Sequence, residues 1–234
     1  MSVAALVLAG GRGERLGHSL PKAFVPVAGL PLLVHALEAL AAAPAIDWLL
    51  PVVSEDQLGR LNALALDARP RLAGRLARAV PGGAERQDSM RAGLAALPED
   101  VELVAVHDAA RPLVRPAAVM RVVEVARREG AAILAIPACD TIKRVRRGRV
   151  VETPPRVECW AAQTPQVFRV ELLREALEKA LAEGRTATDD AQLVEWLGVD
   201  VHIVRGDADN LKITHAADLA VAERLLAMRA AERV

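Results

Sequence analysis

An apolar run, Val3 to Val7, leads straight into Leu8-Ala9-Gly10-Gly11-Arg12-Gly13-Glu14-Arg15-Leu16, with Pro21-Lys22 a few residues on. The run reads as a buried strand. A glycine-rich turn after a strand is a common setting for backbone N–H groups to face a phosphate. Gly10, Gly11 and Gly13 carry no Cβ, so the chain can turn sharply and admit a ligand close to its backbone. Arg15 and Lys22 add two cations on the loop that leaves the turn. The pattern departs from two familiar templates. It lacks the Gly-Lys-Ser/Thr ending of a P-loop, and Leu16 stands where the third small residue of a dinucleotide fingerprint would pack helix on strand. The plainest alternative is a tight β–α turn with solvated cations. Taken as a ligand site, the loop suits a triphosphate better than a nicotinamide dinucleotide.

Strand-like and helix-like segments then alternate. Strands are predicted at Val3–Leu8, Trp48–Val53, Arg75–Val80, Val101–His107 and Ala131–Ile136. Between them fall helices at Pro31–Ala43, from a capping box at Ser54 to Leu66, from Glu85 through Leu97, and at Pro116–Glu129, where Gly130 stops the last. Repeated βα predicts an α/β domain of Rossmann-like type: a mostly parallel, twisted sheet with helices on both faces. The pattern breaks at Pro137. Thr141–Val145 and Arg149–Thr153 alternate around Arg147-Gly148, a β-arm projecting from the sheet, over about residues 137–160. Helices follow at Val170–Glu183 and Asp189–Leu197, then a strand at Asp200–Val204 and a helix over His215–Met228. Residues 1–234 are expected to form one domain with this arm, and no second enzyme is expected to follow the last helix.

Composition excludes several classes. Thirty basic residues balance thirty acidic ones, so no overall field draws the chain to nucleic acid or a membrane. The basic stretch Lys143–Arg149 is short and has no interleaved aromatics, which argues against nucleic acid. No apolar run reaches about 18 residues, so no membrane span is expected. The chain opens on a strand with no basic leader, so no signal peptide is expected and the cytoplasm is the expected compartment. Cys139 and Cys159 form no CxxC pair and are expected to be free, buried thiols. Of the thirty basic residues only Lys22, Lys143, Lys179 and Lys212 are lysine. All but Lys179 lie in loop-like contexts, where a compact ammonium offers a phosphate something a planar guanidinium does not.

Polar clusters follow the strands, where ligands of open α/β sheets bind. Asp108 ends an apolar strand, between His107 and Arg111. It is a candidate ligand for a hard divalent cation, which takes one or two carboxylates plus phosphate oxygens; the alternative is a helix N-cap. His107 reads as a strand-end packing residue. Two roles stay open for Arg111: clamping a phosphate or orienting Asp108. Gly82-Gly83 with Arg86 and Ser89 offers backbone and a hydroxyl to a base or ribose, or else is a simple β–α turn. Thr164, before Pro165, is held extended so that its hydroxyl has a defined direction. Thr188-Asp189-Asp190 reads as a helix cap with surface carboxylates and no catalytic part.

The glycine loop with Pro21-Lys22, Gly82-Gly83-x-x-Arg86-x-x-Ser89, His107-Asp108-Ala109-Ala110-Arg111-Pro112, Asp140-Thr141-Ile142-Lys143, Gln163-Thr164-Pro165-Gln166 and Ala208-Asp209-Asn210-Leu211-Lys212-Ile213-Thr214 together resemble, in order and spacing, the 2-C-methyl-D-erythritol 4-phosphate cytidylyltransferases of the non-mevalonate isoprenoid pathway. The resemblance spans essentially the whole chain. It implies a magnesium-dependent homodimer with exchanged arms that joins CTP to methylerythritol phosphate and releases pyrophosphate. By the same resemblance, Arg15 and Lys22 hold the triphosphate, and Asp108 is the magnesium ligand. Ala9, Gly10, Gly82 and Ser89 lie near cytosine and ribose; the glycine loop and the Gly82-Gly83 turn, as read above, add Gly11, Gly13 and Arg86 to the nucleotide site. Arg156, from the partner's arm, and Lys212 position the acceptor phosphate, with Thr141, Arg111 and Thr164 as further acceptor-site positions. Ala84 stands where some relatives carry a polar residue beside the base. Alternatives are a cytidylyltransferase for another polyol phosphate such as ribitol 5-phosphate, a CTP-binding regulatory module without turnover, and, more remotely, a dehydrogenase.

Overall fold

The computed structural model describes residues 1–11 and 13–231, apart from the Glu14 side chain; Arg12 of the glycine loop lies outside the described residues. In chain order the strands are β1 Ser2–Leu8, β2 Pro26–Val27, β3 Leu30–Pro31, β4 Trp48–Val53, β5 Val80–Pro81, β6 Val101–Asp108, β7 Ala131–Pro137, β8 Arg144–Arg146, β9 Arg149–Glu152, β10 Trp160–Arg169 and β11 His202–Arg205. The α-helices are α1 Leu32–Ala41, α2 Leu58–Asn62, α3 Arg86–Ala95, α4 Pro116–Glu129, α5 Val170–Ala182, α6 Asp190–Glu195 and α7 Ala216–Ala231. The main sheet runs β11-β7-β10-β6-β1-β4-β5. β1 pairs in parallel with β4 and β6, β4 with β5, and β7 with β11.

Both faces are covered, and β1 shows how. Val3, Ala5 and Val7 join α1 and α4 in one apolar cluster, while Ala4 and Leu6 join α3, α5 and α6 in another. The two-residue period of a strand sends alternate side chains to opposite faces, and a strand buried on both sides needs no polar positions. A third, smaller cluster gathers Leu16, Val25 and Val27 with Leu113, Ile213 and Ala222. It pins the segment around Lys22 against the segment around Lys212, although 190 residues of chain separate them.

Four expectations change. The predicted strand Arg75–Val80 shrinks to Val80–Pro81 and an isolated bridge from Leu76 to Leu49. Instead, the Arg75 guanidinium reaches the carbonyls of Ala41, Ala43 and Ile46. Ser54 forms no cap; its hydroxyl donates to the Gly10 carbonyl at 3.1 Å, and a short 3-10 turn precedes α2. A reciprocal capping box forms instead at Glu85 and Asp88, opening α3. Trp160–Arg169, which carries no strand-like alternation, is a ten-residue strand antiparallel to both β6 and β7. Finally, Cys139 is exposed and Cys159 partly so; both are free, but neither is a core thiol. The hairpin β8–β9 forms its own two-stranded sheet with every residue exposed. Among the described residues, no helix is long and apolar enough to cross a membrane.

Candidate active site

The loops that leave β1, β5 and β6 at their carboxyl ends meet in a cleft of about 230 Å³. Ala9, Gly10 and Gly11 form one wall, Gly83–Arg86 and Ser89 a second, and Asp108–Ala110 the floor, with Lys22 and Lys212 at the rim. Of the nucleotide-site residues expected from sequence, Ala9, Gly10, Gly11, Arg86 and Ser89 line the cleft itself. Gly82 packs behind it; a Cβ there would fall 2.6 Å from Ser89 Oγ, so only glycine lets β5 turn this close to α3. Gly13 has φ +71° and lies against Lys22, where an added Cβ would approach Lys22 Cβ at 2.5 Å. The bare backbone at Gly13 therefore makes room for the Lys22 stem.

The charges are arranged around Asp108. Lys212 Nζ lies 2.7 Å from Asp108 Oδ2, and Arg86 Nη1 donates to Oδ1 at 2.6 Å. Burial alone would raise the Asp108 pKa, but the charges of Arg86 and Lys212 outweigh it and hold the carboxyl far below its usual range. Lys22 has the opposite balance. Burial lowers its pKa, the neighbouring charge of Lys212 lowers it further, and so does Arg15, while Asp108 opposes them. Lys22 and Lys212 thus share one rim, with Arg15 near enough to add its charge and Asp108 and Asp218 opposing them, a field suited to a polyanion.

A hydrogen-bonded chain fixes Asp108 from behind. Its backbone N–H donates to Thr164 Oγ1 at 3.0 Å, and Thr164 Oγ1 lies 3.0 Å from His107 Nδ1. His107 Nε2 faces the Arg111 carbonyl at 3.1 Å. A carbonyl only accepts, so Nε2 carries the proton, Nδ1 accepts, and the Thr164 hydroxyl donates to it. Burial pushes the His107 pKa down to about 4, which keeps this neutral tautomer in place. His107 is fully buried, as expected of a packing residue, but it also orients the site.

Some assigned side chains are spent elsewhere. The Thr164 hydroxyl is buried in that chain rather than turned to a ligand. Arg111 donates to the carbonyls of Asn210 and Ala162 at 2.7 and 3.1 Å, so it ties β10 to the loop before Lys212 rather than clamping an anion. Arg86 bridges two carboxylates, Asp108 and Asp190. Asp190 is 2 % exposed, not a surface carboxylate, although Asp189 does cap α6 by accepting from Gln192 N–H. Thr141 and Arg156 lie exposed on the arm and do not line the cleft; Arg156 donates to the Cys139 carbonyl at 3.0 Å.

The sequence profile of the family 2-C-methyl-D-erythritol 4-phosphate cytidylyltransferase (IspD) matches residues 3–228. The chain belongs to this family. A 2-C-methyl-D-erythritol 4-phosphate cytidylyltransferase of Pelotomaculum thermopropionicum is 44 % identical over 97 % of the chain and 95 % of that protein. Among solved members, the 4-diphosphocytidyl-2C-methyl-D-erythritol synthase of Anaerococcus prevotii superposes with a TM-score of 0.84 at 30 % identity, covering 96 % of each chain. The cytidylyltransferase of Thermus thermophilus gives 0.76 at 38 % identity, covering 96 % of this chain and 98 % of its own. The family match, over residues 3–228, takes in the cleft, β10 and the arm.

Proposed function

We propose that the cleft transfers the cytidylyl group of CTP to 2-C-methyl-D-erythritol 4-phosphate, giving 4-diphosphocytidyl-2-C-methyl-D-erythritol and pyrophosphate. The observation that carries this reading is the meeting of the glycine loop, Lys22, Lys212 and Asp108 in one cleft of a chain that belongs to the cytidylyltransferase family. An acceptor phosphate oxygen attacks the α-phosphorus of CTP; the bond to the β-phosphate oxygen breaks, and pyrophosphate leaves with the electron pair. The nucleophile is already ionised, so no general base is needed. The obstacle is repulsion between two anions, which positioning and preorganised cations relieve. Arg15 and Lys22 hold the triphosphate and the charge gathering on it, and Lys212 receives the acceptor phosphate. Backbone of Ala9, Gly10, Gly83 and Ala84 reads the base edge, with no side-chain polar atom at Ala84 to help.

A single carboxylate beside a phosphate site suits a magnesium ion, which keeps most of its oxygen ligands from water and substrate phosphates. Asp108 is that carboxylate. Among the described residues no group of three or more His, Cys, Asp or Glu side chains offers a cage of its own. When bound, the ion would supply Lewis-acid stabilisation of phosphate charge.

The active form is a homodimer in this reading. The arm leaves Val145, Val150, Val151 and Val157 exposed, Val157 at 83 %, which a second copy of the chain would cover. Exchange of arms would bring Thr141 and Arg156 to the partner's acceptor site, which accounts for their distance from their own cleft. The cytoplasm, where CTP is available, is the natural compartment.

Pyrophosphate release with CTP, magnesium and either methylerythritol phosphate or ribitol 5-phosphate tests the assignment. Release with methylerythritol phosphate alone is expected. Release with ribitol 5-phosphate instead would overturn the acceptor, and no release from a folded chain that binds CTP would point to a regulatory module.

A further inference from the structure

Asp190 is a buried carboxylate that the proposed chemistry leaves unused. It is held rigidly. Gln166 brackets it, donating to Asp189 Oδ2 at 2.8 Å and accepting from the Ala191 N–H at 2.9 Å. Its own Oδ2 lies 2.6 Å from Arg86 Nη2, while Arg86 Nη1 reaches Asp108 at the same distance. Arg86 Nε is buried with no hydrogen-bond partner, so the two carboxylates are what fix this guanidinium in place. Burying a charge without a partner is costly, and a buried Asp is retained in such a place only when paired.

The charge count explains what the pairing does. Asp108 touches two cations, Arg86 and Lys212, which alone would leave the group with a net positive charge beside the expected cation site. Asp190 brings the cluster to two positive against two negative charges. Burial works against the charged Arg86, but Asp190 first and Asp108 second hold its pKa above the ordinary guanidinium value. Burial raises the Asp190 pKa, and Arg86, its ion-pair partner at 2.6 Å, opposes that rise.

We infer that Asp190 is a positioning residue for the divalent-cation site: by neutralising Arg86 from the far side, it keeps the cluster around Asp108 from carrying a net positive charge that would repel the cation. This rests on Asp108 being the cation ligand. A purely structural Asp190 would affect folding but not cation affinity in the folded protein.

Titration of Mn2+ followed by electron paramagnetic resonance, with the full chain in excess over CTP and a CTP-only control for Mn2+ chelation, reads that affinity. Asp190→Asn keeps the size and one acceptor while removing the charge. It is expected to weaken Mn2+ binding about tenfold, the effect of losing an outer partner of a metal ligand. The double variant Arg86→Gln with Asp190→Asn restores the charge balance, so it is expected to recover most of that loss. It also removes the unpaired buried charge, and so serves if the single variant does not fold. Parent-like Mn2+ affinity in folded Asp190→Asn would overturn the inference. So would a folded double variant that binds about tenfold more weakly than the parent. A parent chain with no CTP-dependent Mn2+ binding would overturn the Asp108 assignment, and the inference with it.

Discussion

Lys22 is a cation in a poor place for one: half-buried, crowded by Lys212 and Arg15, with Asp108 as its nearest relief. An incoming triphosphate would resolve that conflict, so removing the ammonium should be felt most when negative charge is greatest. Lys22→Ala is expected to lower kcat by about 100-fold or more in steady-state assays of pyrophosphate release. Near-normal turnover in the folded variant would refute the role. His107 makes a different prediction. Its folded pKa is about 4 against an ordinary 6.5, so between those values the unfolded chain binds the extra proton. The stability it contributes is complete above about pH 6.5 and is lost on acidification toward about pH 4, by roughly 3 kcal/mol. Asp108 acts in the same direction only as pH falls below its ordinary 3.8, outside that window. Urea unfolding as a function of pH should therefore show a slope that His107→Asn reduces; an unchanged slope would contradict the neutral tautomer. Lys22, Lys212 and Asp108 are legible in the sequence because each stands out from its local context. Asp190 is not, because a carboxylate at a helix start looks the same whether water or a buried arginine faces it.

β10 carries the lesson at the scale of elements. Gln163, Thr164, Pro165 and Gln166 make a poor central strand by composition, and proline in particular argues against one. The structure accommodates them because the pairing with β7 is interrupted between Ala162 and Gln166, so Pro165 faces no ladder position there. The polar side chains are satisfied by tertiary partners the sequence does not reveal. Gln163 donates to the Asp207 carbonyl and accepts from Asn210, and Gln166 holds both sides of Asp190. Gln166→Ala would leave the buried Ala191 N–H without its acceptor. The expected cost is about 1–3 kcal/mol in urea unfolding, and a change under about 0.5 kcal/mol, the range of an ordinary surface substitution, would argue that water replaces the contact. By contrast β1, β4, β6 and β7 are legible because strands covered on both faces are written as apolar runs. Arg75–Val80 misleads for the converse reason: it pairs with β4 only at Leu76 and Val80, and its apolar residues pack at the edge of the sheet on both faces.

At the scale of the whole molecule, a chain with no net charge concentrates cations at one rim of one cleft. The apolar cluster of Leu16, Val25 and Ile213 achieves this by packing the first loop against the last. The arm extends the argument to two chains. Arg156 is too far from its own cleft to line it, so a shared site predicts complementation. Mixtures of Arg156→Ala chains, expected to bind the acceptor weakly, and Lys22→Ala chains, exchanged into hybrid dimers, should regain some activity because one site of each hybrid is intact. Mixtures with no gain, despite subunit exchange shown by sedimentation or mass spectrometry, would place Arg156 outside the partner's site.

The central claim is that one cleft holds CTP and a divalent cation on Asp108. A crystal structure of the full chain with CTP and Mn2+, using the anomalous signal of manganese, tests it most directly. A manganese peak in contact with Asp108, the triphosphate against Lys22 and Arg15, and the base beside Gly83 and Ala84 are expected. Ordered CTP in the cleft with its manganese away from Asp108, or CTP bound elsewhere, would contradict it.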